Sequence, residues 1–255
     1  MKTRADILLA EQGLCESREQ AKRLILAGKV RVGTDRVIQK ASEMLDGGTV
    51  LNIEENSPYV SRGAYKLLPA LEKHLPDLTG LVCLDVGAST GGFTDLMLQR
   101  GALKVYAVDV GTAQLHSKLR SDPRVISREN VNARYLDETS IPEKADVMTM
   151  DISFISVMKV LPAANKLLKP GGLAFILVKP QFEAGRKDIE KGGVVRDEAV
   201  RMRCVSEVAN FAEKELAYSL VEVIPSPILG PKGNQEFMTV FLKGLQNSAL
   251  VTSAE

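Results

Sequence analysis

The sequence predicts an α/β protein in two parts, a larger domain with a mostly parallel sheet and a smaller N-terminal α+β domain. From residue 81 onward, apolar runs typical of buried strands alternate with segments of helical apolar spacing. Such alternation indicates a parallel sheet with helices on both faces. Before residue 57, two short helical patterns are followed by short strand patterns separated by glycine turns. A chain of 255 residues is long enough for both parts.

The N-terminal part is predicted to begin with two helices, over residues 6–11 and 17–27. The second has apolar spacing through Ala21, Leu24 and Ile25. Ser17, with Gln20 three residues later, resembles a capping box and predicts where this helix begins. Short strands are predicted after it, at residues 29–32, 36–38 and 49–53, with turns at 33–35 and 46–48.

A cluster of cations lies on the second predicted helix and on the strand after it. Residues 18–31 contain five cations and one acid. Arg18, Lys22 and Arg23 share one helical face, and Lys29 and Arg31 follow. The sequence therefore predicts a compact basic patch that is able to contact phosphates. The alternative is a solvated helix face, the usual role of an isolated charge run.

The run SREQAKRLILAGKVRV at residues 17–32 resembles the core of the alpha-L RNA-binding module of the ribosomal-protein S-four type. The likeness extends over roughly residues 3–53. It implies a small domain that binds structured RNA and carries no chemistry of its own. The RNA contacts implied by the resemblance come from six cations, Arg4, Arg18, Lys22, Arg23, Lys29 and Arg31.

The larger domain is predicted to contain seven strands with helices between most of them. The last two strands follow each other without a helix, which indicates an antiparallel hairpin at one edge of the sheet. The strands are predicted at residues 82–86, 105–110, 125–127, 145–150, 172–178, 218–224 and 236–242, and helices at 92–100, 157–168 and 197–214. Asn56-Ser57-Pro58 is predicted to be a hinge, because proline cannot extend a preceding element. The predicted domains are 1–56 and 63–245, with a linker at 57–62 and a frayed tail at 246–255.

The first strand of this domain leads into a glycine-rich turn before a helix, which is a nucleotide-binding arrangement. The turn runs Asp85-x-Gly87-x-Ser89-x-Gly91-Gly92 and lacks the spacing of the dinucleotide fingerprint. This mismatch disfavours a pyrophosphate cofactor and hence an NAD dehydrogenase. Asp109 follows the second strand, where a carboxylate can bind a pair of ribose hydroxyls. An ordinary tight turn is the alternative for the loop alone.

The loop is similar to the motif of Rossmann-like methyltransferases, and the resemblance implies S-adenosylmethionine as cofactor. The residues implied to bind it are Asp85, Gly87, Ser89, Gly91, Gly92 and Asp109, together with Asn130 after the third strand.

Four further residues are candidates for the catalysis of methyl transfer to a hydroxyl. Asp151 and Lys179 follow the fourth and fifth strands, and the carboxyl ends of parallel strands meet at one edge of a sheet. Lys66 precedes the first strand, and Glu236 begins the last. Burial favours the neutral amine of a lysine at a strand end, which could then act as a base. Taken singly, Lys66 is equally well a surface helix residue, and Glu236 an edge-strand charge.

Together these four residues resemble the Lys–Asp–Lys–Glu tetrad of FtsJ-like RNA ribose 2'-O-methyltransferases. The strings VSRGAYKL, LDVGASTGGFTDLMLQRGA, MDISFIS and VKPQFEAGR narrow the likeness to the TlyA family. The resemblance implies methylation of ribosomal RNA at cytidine 2'-hydroxyls. It implies Lys179 as the base, oriented by Asp151, with Lys66 and Glu236 positioning the ribose and stabilising charge. The family linker can carry a tryptophan, whereas this chain has none and Tyr59 lies there.

Two other functions stay open at this stage. Members of the family are often catalogued as haemolysins, but the sequence shows neither an apolar run of membrane-spanning length nor a strongly amphipathic apolar segment. A non-catalytic RNA-binding or ribosome-assembly factor is the second alternative, against which the complete tetrad argues. The glycine-rich stretch 183–196 is predicted to be a mobile loop near the active site, either touching RNA or simply solvated.

Composition favours a cytoplasmic protein. The three cysteines lie far apart and form no C-x-x-C pair, so a disulfide framework and a zinc site are both disfavoured. The charged N-terminus has no secretory apolar region. The expected partner is ribosomal RNA or a ribosomal subunit, with no membrane, and the sequence identifies no protein partner.

Overall fold

The computed structural model describes residues 2–33, 36–53 and 57–245 of the chain. The chain divides into two compact units, residues 1–58 and 59–255. The tail predicted at 246–255, the turn residues Thr34 and Asp35, and Asn56 of the predicted hinge lie outside the described residues.

The N-terminal unit is a small α+β domain in which two helices pack on short antiparallel strands. β1 pairs with β4, and β2 lies between β3 and β5. The core is built from small and branched apolar side chains of both helices and of the strands, such as Leu9, Ile25, Val30 and Leu51. In chain order the elements are β1 Lys2–Arg4, α1 Ala5–Glu11, α2 Arg18–Leu26, β2 Val30–Val32, β3 Arg36–Val37, β4 Met44–Asp46 and β5 Leu51–Ile53.

The start of α2 differs in detail from the capping box that the sequence predicts. Ser17 is the N-cap, and its Oγ accepts a hydrogen bond from the backbone N–H of Gln20 at 3.2 Å. The side-chain Oε1 of Gln20 accepts from the backbone N–H of Glu16 at 2.9 Å, one residue before the cap. Two amides at the helix start are thereby satisfied.

The second unit is built on a seven-stranded sheet with the strand order β11-β12-β10-β9-β6-β7-β8. Its strands are β6 Val82–Val86, β7 Lys104–Val108, β8 Val125–Arg128, β9 Ala145–Met150, β10 Leu168–Val178, β11 Tyr218–Pro225 and β12 Phe237–Lys243. The α-helices are α3 Ala64–His74, α4 Gly92–Gln99, α5 Ser117–Arg120, α6 Leu161–Asn165, α7 Pro180–Glu183 and α8 Glu198–Leu216. No helix among the described residues is long and apolar enough to cross a membrane.

The sheet is parallel from β8 to β10, and β12 enters it antiparallel to β10. β11 pairs antiparallel with β12 and forms one edge. The predicted mostly parallel sheet with an antiparallel edge hairpin is therefore confirmed. Parallel strands of this kind begin and end together, so the residues that follow β6, β7, β9 and β10 share one edge.

The central strands are apolar along their length because helices cover both faces of the sheet. All five residues of β6 are buried. Leu84 and Val86 belong to the core on the α6 and α8 side, whereas Cys83 faces the core formed with α3 and α4. Asp85 shares the face of Cys83, so the period of two places its carboxylate inside the molecule.

One predicted helix is wrong at its C-terminal end. Instead of a helix over 157–168, the chain forms a 3-10 turn at Val157–Lys159 and the short helix α6, and Leu168 already pairs with Ala145 of β9. Pro162 near the start of α6, and Pro170 with two glycines after it, interrupt the helical pattern.

The remaining elements missed by the pattern are short or interrupted. β1 and β4 have three residues each, and α5 and α7 have four. In α3, Pro69 lies inside the helix and lacks the N–H donor that a helix interior uses.

Candidate active site

The glycine-rich loop connects β6 to α4 in a conformation that depends on glycine. Gly87 has a φ of 83°, and a Cβ there would lie 2.7 Å from the backbone oxygen of Asp151. Gly91 has a φ of 95° and precedes α4, and a Cβ at this position would clash with the side chain of Leu119. Another residue at Gly87 would therefore clash with the backbone, and at Gly91 it would have a strained φ and displace the Leu119 side chain.

Asp85 lies within β6, one residue before the strand ends. Its carboxylate is buried and accepts hydrogen bonds from Thr94 Oγ1 at 2.6 Å and Thr149 Oγ1 at 2.9 Å. Burial raises the pKa of Asp85 to about 6, although the two threonines oppose this shift. The carboxylate ties β6 to α4 and β9 beneath the loop, and Asp85 also lines the larger of the two cavities described below.

Asp109 connects the loop to the end of β7. Its Oδ2 accepts from the backbone N–H of Ser89 at 2.8 Å, and its Oδ1 accepts from the backbone N–H of Gly111 at 2.7 Å. Both Asp109 and Ser89 line a cavity of about 400 Å³ at the carboxyl edge of the sheet. Ligand pockets have volumes in this range.

Asn130, which the sequence predicts to contact the cofactor, is not among the residues that line this cavity. Its side-chain oxygen accepts from Thr112 Oγ1 at 2.6 Å, and its backbone has a φ of 59°. The cavity wall after β8 is instead formed by Val131, Asn132, Ala133 and Arg134. Asn130 is a turn residue, and asparagine tolerates this left-handed conformation better than most residues.

The four residues of the predicted tetrad lie together at the same edge of the sheet. Lys179 Nζ lies 2.5 Å from Asp151 Oδ1. Lys66 Nζ lies 2.7 Å from Glu236 Oε2 and 3.8 Å from Asp151 Oδ2. The four therefore form one chain of contacts, Lys179–Asp151–Lys66–Glu236, which we call the charge chain. It joins α3 to the ends of β9 and β10 and to the start of β12.

The charge chain is largely buried, and Asp151, with a side chain 20% exposed, is its most exposed member. The side chains of Lys179 and Lys66 are 7% and 12% exposed, and that of Glu236 is fully buried. Burial opposes the charge on Lys66, but Asp151 and Glu236 more than offset it, so the pKa of Lys66 is raised. Lys66 is accordingly an ammonium at neutral pH and is unsuited to remove a proton.

Lys179 has different neighbours. Its Nζ donates to Ser153 Oγ at 2.8 Å and lies 5.9 Å from the centre of the Phe182 ring. Phe182 in turn packs against Phe154, with ring centroids 5.2 Å apart. Lys179 thus contacts one carboxylate of the charge chain, whereas Lys66 contacts two.

The charge chain lines a second cavity, of about 500 Å³. The two cavities share Gly87, Ser89, Asp151, Ser153 and Phe154, so they form one continuous cleft with the loop between them. One part of the cleft carries Asp109, and the other carries the tetrad. This arrangement places a ligand bound against the loop next to two lysines and two carboxylates.

The residues of this cleft that the sequence did not predict include Ser153, Gln181 and Asn234. Ser153 and Gln181 each come two residues after a member of the tetrad, in the strings DIS and KPQ, and this spacing was the available signal. Asn234 is buried and accepts from the backbone N–H of Val195 at 3.1 Å. Such a long-range contact leaves no mark in the local sequence.

The stretch 183–196 lies beside the cleft. Ile189 and Gly193 line the larger cavity. Asn234 Nδ2 donates to the backbone oxygen of Gly193 at 3.0 Å, and Lys232 Nζ donates to that of Gly192 at 2.7 Å. The stretch is therefore bonded to the residues that lead into β12.

In the N-terminal unit, two of the predicted RNA-binding cations share a buried carboxylate. Asp6 is fully buried and accepts from Arg4 Nε at 2.9 Å, Arg4 Nη2 at 3.0 Å and Arg18 Nε at 2.9 Å. The hydrogen bond from Arg4 is the largest of the influences that lower the pKa of Asp6 to about 2. The arginine side chains stay 36% and 51% exposed. We call the two arginines Arg4 and Arg18, together with the Asp6 carboxylate that holds them, the arginine pair.

The other predicted cations lie on α2 and on and just before β2. Lys22 Nζ is 2.6 Å from Glu19 Oε1 on the exposed side of α2. Arg23 is exposed, and Lys29 and Arg31 are partly exposed. The patch that the sequence predicts thus lies on consecutive elements of one unit.

Comparison with known families assigns each unit. The FtsJ-like methyltransferase model matches residues 59–243, and the S4 domain model matches residues 3–51.

Related proteins match nearly the whole chain. The "16S/23S rRNA (cytidine-2'-O)-methyltransferase TlyA" of Mycobacterium tuberculosis is 44% identical over 92% of this chain and 88% of its own length. "Hemolysin A" of Brachyspira hyodysenteriae is 39% identical over 94% of this chain and 99% of its own. A solved structure, "Putative hemolysin from Streptococcus thermophilus", has a TM-score of 0.74 at 44% identity and covers 95% of this chain and 89% of that one.

Proposed function

The chain belongs to the FtsJ-like methyltransferase family and to its TlyA group, and from that premise we propose that it methylates ribosomal RNA. The reaction transfers a methyl group from S-adenosylmethionine to a ribose 2'-hydroxyl, that of a cytidine. The observation that carries this proposal is the charge chain, Lys179–Asp151–Lys66–Glu236, buried beside a cleft that continues to the glycine-rich loop.

Methyl transfer to a hydroxyl needs alignment and the removal of one proton. In the proposed mechanism, Lys179 Nζ accepts the proton of the 2'-hydroxyl, because it is the lysine with a single carboxylate neighbour. Asp151, 2.5 Å away, orients this amine and stabilises the ammonium that forms.

Lys66 has the complementary role. It is held as an ammonium between Asp151 and Glu236, so it supplies a fixed positive charge where the attacking oxygen becomes negative. Preorganised charges in a buried site stabilise such an oxygen better than water does. Glu236 keeps Lys66 in place.

The residues of the cleft fit the proposed cofactor. When bound, S-adenosylmethionine supplies an electrophilic methyl group on a sulfonium. Asp109 would hold the ribose hydroxyls, and the backbone at Gly87 and Ser89 would face the amino-acid end, with Asp85 supporting the loop from below. The positions of these groups agree with S-adenosylmethionine as the ligand. The carboxylate of Asp109 lies in one half of the cleft, and the glycine turn lies between the two halves.

The N-terminal unit supports an RNA substrate. We propose that guanidinium and ammonium groups on β1, on α2 and on or just before β2 contact the phosphates of a folded RNA. They belong to Arg4, Arg18, Lys22, Arg23, Lys29 and Arg31. Because the proposed substrate is ribosomal, we infer that the enzyme acts in the cytoplasm, on ribosomal RNA or a subunit.

The direct test is to map 2'-O-methylation on ribosomal RNA from cells with and without this protein. The expected result is one or more cytidines that lose their methyl group when the protein is absent and regain it on incubation of the RNA or subunits with purified enzyme and S-adenosylmethionine. Unchanged methylation in both experiments would contradict the proposal.

Because some relatives are named hemolysins, a second experiment tests for an activity on membranes. Lysis of red cells and flotation with liposomes are measured on the same purified protein, alongside the Lys179→Ala variant. Lysis that persists in a variant without methylation would indicate a separate membrane activity.

A further inference from the structure

We propose that Gln181 is a positioning residue that holds the Glu236 carboxylate for methyl transfer, an inference that rests on the proposed function. Gln181 lies in α7, two residues after Lys179. Its Nε2 donates a hydrogen bond to Glu236 Oε1 at 3.0 Å. Lys66 Nζ donates to Oε2 of the same carboxylate at 2.7 Å. Each oxygen of Glu236 is therefore held by one donor.

The contact matters because Glu236 is fully buried. A buried carboxylate is costly unless both oxygens are paired. Among the described residues, Gln181 is the one group that donates to Oε1. On that side the backbone of Gly230 is packed so closely that a Cβ there would clash with Oε1. Without Gln181, this oxygen would lose its donor in a site with little room for rearrangement.

The orientation of the Gln181 amide follows from Glu236. An ionised carboxylate only accepts hydrogen bonds, so the NH₂ end of the amide must face it. The other end, Gln181 Oε1, is buried without a hydrogen-bond partner among the described residues. The polar function of this side chain is therefore concentrated in its contact with Glu236.

The effect reaches the reacting groups through the charge chain. Gln181 holds Glu236, Glu236 holds Lys66, and Lys66 contacts Asp151, which holds Lys179. A tilt of the Glu236 carboxylate would displace the ammonium of Lys66 from the developing negative oxygen. Gln181 thus acts through another residue and belongs to the support of the site.

Two variants test the inference in the full-length enzyme with ribosomal subunits as substrate. Gln181→Leu keeps the approximate shape and removes the donor. We expect its kcat to fall about 10- to 100-fold, the factor that the loss of a hydrogen bond to a charged group represents. The KM for S-adenosylmethionine should change less than about twofold, because Gln181 does not line the part of the cleft that carries Asp109. The affinity for RNA should change as little, because the proposed phosphate contacts lie in the N-terminal unit.

Gln181→Glu gives a signature that a merely structural role would not produce. At neutral pH its carboxylate faces that of Glu236, and two such groups cannot both stay ionised at low cost. At acid pH, one of them carries a proton and can donate the missing hydrogen bond. The ratio of variant to wild-type kcat should therefore rise as the pH falls.

The matched control is Gln235→Glu. Gln235 adjoins Glu236 in sequence, but its Nε2 donates to the backbone oxygens of Ser226 and Glu236. A carboxylate there adds the same charge and also removes hydrogen bonds, but none to the Glu236 carboxylate, and we expect its kcat ratio to stay flat with pH.

The outcomes separate the two proposals. A wild-type enzyme that methylates no ribosomal RNA would end the proposed function. An active wild type with a Gln181→Leu variant of unchanged kcat, or with a Gln181→Glu ratio that is flat with pH, would overturn the role of Gln181 alone.

Discussion

The arginine pair of the N-terminal unit and the charge chain of the second unit both place cations around buried carboxylates, but they bury different charges. Asp6 is fully buried, while the arginine side chains beside it remain 36% and 51% exposed. In the charge chain, both lysines are at most 12% exposed. The first arrangement leaves positive charge available to a partner, and the second keeps its charges among themselves.

The difference indicates what each arrangement can do. Exposed guanidinium groups held in fixed positions suit long phosphate chains, where affinity depends on many contacts and on salt. Two lysines and two carboxylates that are mostly shielded from water suit the transfer of one proton and the stabilisation of one charge. Four predictions separate the binding role from the chemical one, beginning with the largest effect.

Lys179→Ala should lower the rate of methylation by about 10²- to 10⁴-fold, the contribution of a general base. RNA affinity should be nearly unchanged, because Lys179 lies in the cleft and not in the patch of the N-terminal unit. Single-turnover methylation and an RNA-binding titration measure the two effects. Lys214→Ala, on an exposed part of α8, is the control, and it should change neither. An active Lys179→Ala enzyme would contradict the mechanism.

Asp6→Asn should weaken RNA binding about 10-fold, although it removes a negative charge from a protein that binds an anion. The reason is that Asp6 fixes both Arg4 and Arg18, and the amide of asparagine cannot hold two guanidinium groups. Glu19→Gln also removes one negative charge, beside Lys22 on the surface of α2, and should leave the affinity equal or slightly higher. If both variants bind more tightly, charge rather than position determines affinity.

Lys22→Ala should weaken RNA binding a few-fold and reduce the slope of log K against log salt by about 1, as the loss of one phosphate contact does. Lys66→Met removes a cation too, but a buried one. It should leave the salt slope unchanged while it lowers kcat. RNA-binding titrations at several salt concentrations measure the slope for each variant. A smaller slope for Lys66→Met would place that lysine on the RNA-binding surface.

The two units should respond to acid in opposite directions. The pKa of Asp85 is raised by burial to about 6, so the folded state holds a proton that the unfolded chain releases, and stability should increase as the pH falls from about 6 to about 4. The pKa of Asp6 is lowered to about 2, chiefly by the hydrogen bond from Arg4, so its contribution is lost between about pH 4 and 2.

Scanning calorimetry across this pH range measures both effects as shifts in Tm. Asp85→Asn should flatten the upper range, and Asp6→Asn should flatten the lower one. A rise in Tm toward acid that survives in Asp85→Asn would mean that another buried group is responsible.

Much of the sheet was predictable because its strands are buried on both faces. β6 and β9 begin and end at the predicted residues, since continuous apolar runs leave no alternative side to expose. The C-terminal end of the helix predicted at 157–168 is wrong because local sequence does not separate the two possibilities there. The apolar residues Leu167 and Leu168 fit the pattern of a helix and that of a strand equally well. Pairing of Leu168 with Ala145 decides between them.

The site was predictable to the extent that strand ends mark it. Asp151 and Lys179 follow β9 and β10 directly, so their proximity follows from topology. For Asn130 this reasoning is weaker, because position after a strand does not determine the direction of a side chain. Its hydrogen bond with Thr112 does.

By itself, the sequence determined the two-part fold, the order of strands and helices, the family and the residue types of the charge chain. It could do so because burial patterns and glycine-dependent turns are local properties. Only the tertiary structure decided which lysine has one carboxylate neighbour and which has two, and that Gln181 completes the pairing of Glu236. These facts depend on distances between residues far apart in the chain, such as Lys66 and Glu236, and a distance across a fold leaves no local trace in the sequence.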